Sequence, residues 1–219
     1  MAELKVGRIV GWQKLSPILA IFRLMPEGAS RFPDYVPGQN IALRRENCKL
    51  TKKVAGSDGR PPRYPPDLDE AGKPKLGSIT HSYSIASAPF ESRENGHLEF
   101  YIVLELDEQK TPGRVTGSLF DIDPPTDDKL LYVNRITGTF TLGKRSNNLT
   151  SVLLVGTGTG LAPFISMIKE LHFNARQGST DGVKYTLLHT NRTYEELAYH
   201  EELIAIEAAQ RLISLMSPR

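Results

Sequence analysis

Three short stretches hold the residue types on which chemistry could be built. In VGTGTGLAP, residues 155–163, glycines alternate with threonines after an apolar run and before a helical pattern. Such a turn ends a strand and opens a helix, so the first backbone N–H groups of the helix point at whatever lies above them, which suits phosphate. Gly156, Gly158 and Gly160 let the backbone approach closely, Thr157 and Thr159 add hydroxyl donors, and Pro163 is pre-set for the start of a helix. The spacing is not the G-x-G-x-x-G of the common dinucleotide fold. A tight strand–helix connection would also use glycine here, but the paired glycines and Pro163 exceed what a plain turn requires, which favours nucleotide binding.

TPGRVTGSLFDI, residues 111–122, is a second anion candidate. Gly113 opens the turn, and Thr116 sits where a hydroxyl either caps a short helix or meets a phosphate. The third stretch, THSYSIASAP (80–89), alternates like a strand yet carries small hydroxyls where a core strand would carry valine. His81, Tyr83 and Ile85 share one face, and Ser82, Ser84 and Ala86 the other. Such a strand is either a solvated edge or a platform on which a flat ring stacks against Tyr83 with Ser84 at its rim.

The elements that must position these residues fall into two halves. Up to about Leu142 the chain shows short alternating segments broken by Gly and Pro, the pattern of an antiparallel sheet or barrel, with one short helix expected at 113–122. After the polar linker GKRSNNLT the period changes. SVLLVGTGTG reads as a buried strand, LAPFISMIKELHFNAR as a helix, VKYTLLHT as a strand, YEELAYHEELIAIEAAQ as a helix and RLISLM as a strand. Strand–helix alternation of this kind predicts a parallel sheet. Residues 44–80, rich in Pro, Gly, Lys and Asp, read as a long loop insertion, either solvated or, through Lys49, Lys52 and Lys53, steering an acidic partner.

Composition narrows the function classes. The chain has 219 residues, 39% hydrophobic, and a net charge of +2, too balanced to suggest nucleic acid. With Cys48 as its single cysteine it holds neither an internal disulfide nor a four-thiolate iron–sulfur cluster, and its five histidines show no zinc-type spacing, so no metal site is expected. The start, MAELKVGRIVGWQKL, has no signal-peptide core, and no apolar run reaches membrane-spanning length. The expectation is a soluble cytoplasmic protein without membrane insertion.

A Tyr-Ser strand, then a Gly-x-x-Thr helix start, then GTGTGLAP: in this order the three stretches resemble the ferredoxin–NADP reductase family, which includes cytochrome b5 reductases and the reductase modules of oxygenases. The resemblance runs from about Val6 to the C-terminus, outside residues 44–80, and YVPGQNIAL and HTNRTYEELAYHEEL match it too. It implies two domains: an antiparallel β-barrel FAD domain (1–147), followed by a parallel-sheet α/β NAD(P)-binding domain (148–219). Family members continue with further strands and a Cys-Gly turn, so the second domain is expected to lack its C-terminal part.

Carried over by residue, the resemblance places Tyr83 on the isoalloxazine and Ser84 near its N5, as the catalytic pair, with Ser87 and Tyr101 also at the flavin. Gly113, Arg114, Val115 and Thr116 would hold the pyrophosphate. His81 stands where the family usually has arginine, which implies weaker or more pH-sensitive flavin binding, since imidazole lacks the charged fork of a guanidinium. Residues 156–163 would take NADP(H), with Arg192, Ser217 and Arg219 reading its 2′-phosphate. The implied reaction is electron transfer between NADPH and a separate ferredoxin or flavodoxin-like carrier. The alternatives are a reductase component of an oxygenase or cytochrome system, and a non-catalytic nucleotide-binding module.

Overall fold

The alternating first half of the chain pairs as a sheet because each strand has one apolar face to bury. A computed structural model describes residues 3–56, 62–108, 110–122, 128–145, 148–210 and 213–216. In chain order the elements are β1 (Leu4–Ser16), β2 (Leu19–Pro26), β3 (Asn40–Lys49), β4 (Leu76–Ser84), α1 (Pro89–Asn95), β5 (Leu98–Val103), α2 (Arg114–Phe120), β6 (Lys129–Thr137) and α3 (Leu142–Arg145). Then come β7 (Ser151–Thr157), a 3-10 turn (Gly158–Leu161), α4 (Ala162–Arg176), β8 (Lys184–Thr190), α5 (His200–Gln210) and β9 (Ile213–Met216).

The first six strands form one antiparallel sheet in the order β4-β3-β6-β1-β2-β5. It curls until its two outer strands approach: the Ala86 N–H, just past β4, donates to the Glu99 carbonyl on β5 at 2.8 Å. Phe22 and Phe100, paired across β2 and β5, stack inside the curl at 4.9 Å, alongside buried Leu43, Leu98 and Tyr132. On β5 the alternation serves two neighbours. Leu98, Phe100 and Ile102 enter this core, while Tyr101 turns outward into a second core shared with α4.

The remaining strands form a separate parallel sheet, β7-β8-β9. Leu154, Tyr185 and Leu187 point to the face covered by α4, whose Phe164, Ile165 and Ile168 close the core. Helix α4 also packs on the antiparallel half. Phe173 stacks on Phe90 of α1 at 4.3 Å, and the buried Ser166 hydroxyl donates to the Ser87 carbonyl at 2.7 Å.

Several elements differ from the sequence expectation. Helix α1 was hidden because it is short and its signal is local: Pro89 opens it, and the Glu91 carboxylate accepts the Ala88 N–H at 2.7 Å. The region expected as a loop over 44–80 is strand at both ends, with Cys48 paired to Gly77 and Lys49 to Leu76. Bridges Thr51–Pro66 and Leu68–Pro74 carry the pairing outward. Backbone hydrogen bonding, not hydrophobic period, orders this arm, so periodicity did not reveal it. The helix expected from Tyr194 begins only at His200, because Tyr199 takes φ of 63° and the chain before it runs through bends and turns.

Candidate functional site

The two ends of the curled sheet leave a seam, and the nucleotide-type turn comes down over it. His81, Ser82, Tyr83 and Ser84 of β4 form one wall of a cleft of about 240 Å³; Tyr101, Ile102 and Val103 of β5, with Glu105, form another. Thr116 of α2 closes one side, and Thr159 and Ala162, from the 3-10 turn and the start of α4, close the other. Three stretches far apart in sequence thus line one space. Larger hollows, between residues 25–35 and α1 (about 480 Å³) and beside the β3 bulge (about 560 Å³), gather no comparable set of candidate residues.

The cleft is polar where it is narrow. The Tyr83 side chain packs on the antiparallel core, yet its hydroxyl is buried without a hydrogen-bond partner, a condition that costs roughly 1–3 kcal/mol. Burial, and then the nearby Glu105 carboxylate, push its pKa up, so it stays a neutral phenol with a proton to donate. Tyr101 is pushed up to about 12, chiefly by burial and against the hydrogen bond from Asn191. A flat heteroaromatic ring with acceptor atoms on its edge fits this donor set: an aromatic wall, the Ser84 and Thr116 hydroxyls, and an unsatisfied phenol. His81 is exposed at the cleft mouth.

Thr116 settles the choice between cap and ligand contact in an unexpected way. The cap position belongs to Gly113, with no side-chain cap bond; the Thr116 hydroxyl instead accepts the Glu105 N–H at 3.3 Å, holding the chain after β5. A Cβ on Gly113 would meet that hydroxyl at 2.9 Å, so a side chain there would displace Thr116. Val115 is a core residue, 1% exposed, and Arg114 is half-buried at the first turn of α2.

In the glycine turn the three glycines do different jobs. A Cβ on Gly156 would press at 3.3 Å on Gly160 O, Leu161 N and Phe164, so this glycine lets strand and helix pack. Gly158 takes φ of 52°, and Gly160 faces open space. Thr157 ends β7, and Pro163 lies in the first turn of α4. Beneath the turn His189 of β8, 6% exposed, sits with Nε2 3.3 Å from the Gly158 carbonyl. Burial lowers its pKa, so the imidazole is neutral and its Nε2–H can donate to that carbonyl.

Two expected residues serve other partners. Ser87, 1% exposed, lies behind the cleft as a hub: its hydroxyl accepts the Glu99 N–H at 3.0 Å and its carbonyl accepts from Tyr35 and Ser166. Arg192 grips Glu196 with Nε at 3.1 Å and Nη2 at 2.7 Å. Ser217 and Arg219 fall outside the described residues. Sequence reading missed Glu105, His189 and Asn191. The Asn191 amide joins the Tyr101 hydroxyl (3.1 Å) and Glu196 carbonyl (2.6 Å), tying the loop after β8 to the cleft wall. The only signal was an Asn directly after a parallel strand.

The chain is similar to several known proteins. A family model described as an oxidoreductase NAD-binding domain matches residues 154–216. Ferredoxin--NADP reductase A of Sorangium cellulosum is 34% identical over 144 residues, 65% of this chain and 44% of that protein. Ferredoxin--NADP reductase of Azotobacter vinelandii is 30% identical over 170 residues, 74% of this chain and 50% of that protein. The chain therefore spans about half the length of the curated relatives it matches. Among solved structures, a ferredoxin NADP+ reductase from Neisseria gonorrhoeae with bound FAD and NADP superposes with a TM-score of 0.65 at 20% identity, over 99% of this chain and 68% of that one. The cytochrome b5 reductase domain of Ulva prolifera nitrate reductase gives 0.62 at 15% identity, over 98% and 73%.

Proposed function

We propose, from the premise that the chain belongs to the ferredoxin–NADP reductase family, that it is a flavin-dependent oxidoreductase passing electrons between NADPH and a one-electron carrier such as a ferredoxin or flavodoxin. In this reading residues 1–147 close into the FAD-binding barrel, and 148–219 take NADP(H). One observation carries it: Tyr83 and Ser84, Thr116, and Thr159 with Ala162 converge on a single cleft although they come from three distant stretches.

Bound FAD would supply the hydride-accepting and one-electron chemistry that side chains lack. The chain's own residues bind, orient and exclude water. Tyr83 offers its ring as the stacking surface and its neutral hydroxyl to an acceptor. Ser84 places a hydroxyl at the ring edge. Gly113 opens the turn with its own N–H held by the Glu105 carbonyl at 2.8 Å, and Arg114 to Thr116 present backbone and hydroxyl donors to the pyrophosphate, with Arg114 as the nearby cation. Gly158 to Pro163 present the turn to the pyridine nucleotide. Arg192 spends Nε and Nη2 on Glu196, which orients the guanidinium, and its Nη1 edge would meet the 2′-phosphate. The expected contribution of Ser217 and Arg219 to 2′-phosphate recognition lies outside the described residues. No helix among the described residues is long and apolar enough to cross a membrane, and we place the protein in the cytoplasm.

The visible spectrum of the purified protein, before and after anaerobic NADPH, tests the reading. Bound flavin that bleaches supports it. Absence of flavin after reconstitution with FAD overturns it and leaves a nucleotide-binding module.

A further inference from the structure

Outside the cleft, the chain buries a lysine among acids. Lys169 of α4 has a side chain only 6% exposed, and its Nζ lies 3.2 Å from Glu91 of α1, 3.8 Å from Glu99 of β5 and 3.2 Å from Glu202 of α5. Two of these carboxylates belong to the antiparallel half and the third to the parallel half. Glu99, itself buried, also accepts from Arg23 of β2 at 2.8 Å and from the Tyr199 hydroxyl at 3.0 Å. The ammonium sits 5.0 Å above the Tyr199 ring, and Tyr199 meets Tyr101 edge-on at 6.1 Å. Tyr101 is a wall of the cleft.

A buried ionic cluster is weak support for stability, because desolvation offsets the attraction, but it fixes geometry where unpaired alternatives are costly. Its place in the fold says which geometry. Helix α4 starts at the cleft with Ala162, touches the antiparallel half at Ser166 and Phe173, and is pinned between those points by Lys169. The same helix carries the glycine turn at its head. Any slide of α4 against β5 moves Thr159 and Ala162 relative to Tyr83 and Ser84, which changes the gap between the two walls. Burial alone would lower the Lys169 pKa, yet Glu91, Glu202 and Glu99 together raise it, so the ammonium stays charged.

Resting on the flavin and NADP(H) reading above, we propose that Lys169 is a positioning residue for hydride transfer: by clamping α4 to Glu91 and Glu99 it sets the spacing of the cleft walls without touching either cofactor. Misplacement on the ångström scale suffices to slow a reaction about 100-fold.

The test compares flavin-loaded wild-type protein with Lys169→Met, Lys169→Arg and the paired Lys169→Met/Glu91→Gln variant. The paired variant removes one half-buried anion along with the cation, and decides the question if the single variant fails to fold. Flavin and NADP+ dissociation constants, the stopped-flow rate of flavin reduction by NADPH, and the long-wavelength absorption of the flavin–nicotinamide pair are measured. The expected result is affinities within about twofold, reduction slowed at least about tenfold with loss of the long-wavelength band, and most of the rate recovered in Lys169→Arg. Wild-type rates in both Met-containing variants would overturn the proposal. So would a loss of rate matched by an equal loss of flavin or nucleotide affinity, which marks a merely structural lysine. Wild-type protein that takes up no flavin instead overturns the functional reading, an outcome seen before any variant is made.

Discussion

The antiparallel and parallel halves bury their sheets to different degrees. The antiparallel sheet closes around its own core, where Phe22, Leu24, Leu43, Leu98 and Phe100 are fully buried. The parallel sheet hides one face of its β7 strand only. On β7, Leu154 is 5% exposed, whereas its neighbours Leu153 and Val155 are 60% and 58% exposed. Parallel strands ordinarily have both faces covered. Here the second half rests on α4, with Leu203 and Ile206 of α5 in the same core, and on the seat of α4 against the first half. The antiparallel half is a core that carries a site, and the parallel half is a turn held in register by docking.

The sharpest way to break this contrast is to hollow the self-contained core. Phe100→Ala removes a fully buried ring stacked on Phe22 and should destabilise the whole chain by about 3–5 kcal/mol, both halves melting together because the second loses its seat. Thermal unfolding followed by tyrosine environment and far-ultraviolet signals would read it. A parallel half that stays folded after Phe100→Ala would mean that it does not lean on its neighbour.

Next in size is a change at the seat itself. Gly38 takes φ of 94°, and a Cβ there would collide with the Phe140 carbonyl and with Met167 of α4. Gly38→Ala should cost about 2 kcal/mol through left-handed strain and overpacking, and should lift α4 before it disturbs the inner core. Hydrogen exchange would show amides of α4 and the glycine turn opening while β2 and β5 stay protected. Equal loss of protection in both would erase the distinction.

How much of this was legible in the sequence follows the same divide. The alternation of β2 and β5 and the strand-to-helix change at Ser151 are periodic signals, and the two sheets follow from them. The convergence of 81–84, 116 and 159–162 came from family resemblance rather than spacing. No local pattern says that β4 and β5, at opposite ends of the strand order, meet across a seam. The clamp was invisible for a related reason. In LAPFISMIKELHFNAR, Lys169 falls on the polar side of the helical pattern and reads as solvated. It is buried because α1, β5 and α5 supply three carboxylates from residues 91, 99 and 202, a tertiary fact. Arg192 illustrates the reverse: its partner Glu196 lies only four residues on, a local i to i+4 ion pair that needs no tertiary neighbour.

A smaller effect probes the buried histidine of the parallel half by pH. His189 lies on the buried face under the glycine turn, and its folded pKa is depressed below the usual 6.5 by burial, with His200 adding to the shift. The folded protein resists the proton that the unfolded chain accepts, so its contribution to stability is present above about pH 6.5 and is lost as pH falls toward the folded value. His97, depressed by burial and by Arg23, adds a parallel loss in the antiparallel half. His189→Asn should flatten the pH dependence below about 6.5 without abolishing it, since His97 remains, and a single histidine can contribute at most about 1.4 kcal/mol per pH unit. Urea midpoints at neutral and mildly acid pH measure it. An unchanged slope would mean that His189 already accepts its proton in the folded state.

The smallest expected effect lies on the open face of β7. Leu153→Ser replaces a side chain that is 60% exposed and lies outside both described cores. If the parallel half owes its order to α4 and its seat, the substitution should shift stability by no more than about 0.5 kcal/mol, although the equally apolar Leu154→Ser beside it should cost several times more. Comparing the two variants in one denaturant titration removes strand propensity from the argument, because both place serine on the same strand. What remains is the face. Strong destabilisation by Leu153→Ser would show that something covers Leu153 and Val155 in solution, and the parallel half would then be buried on both sides like the sheet it was contrasted with.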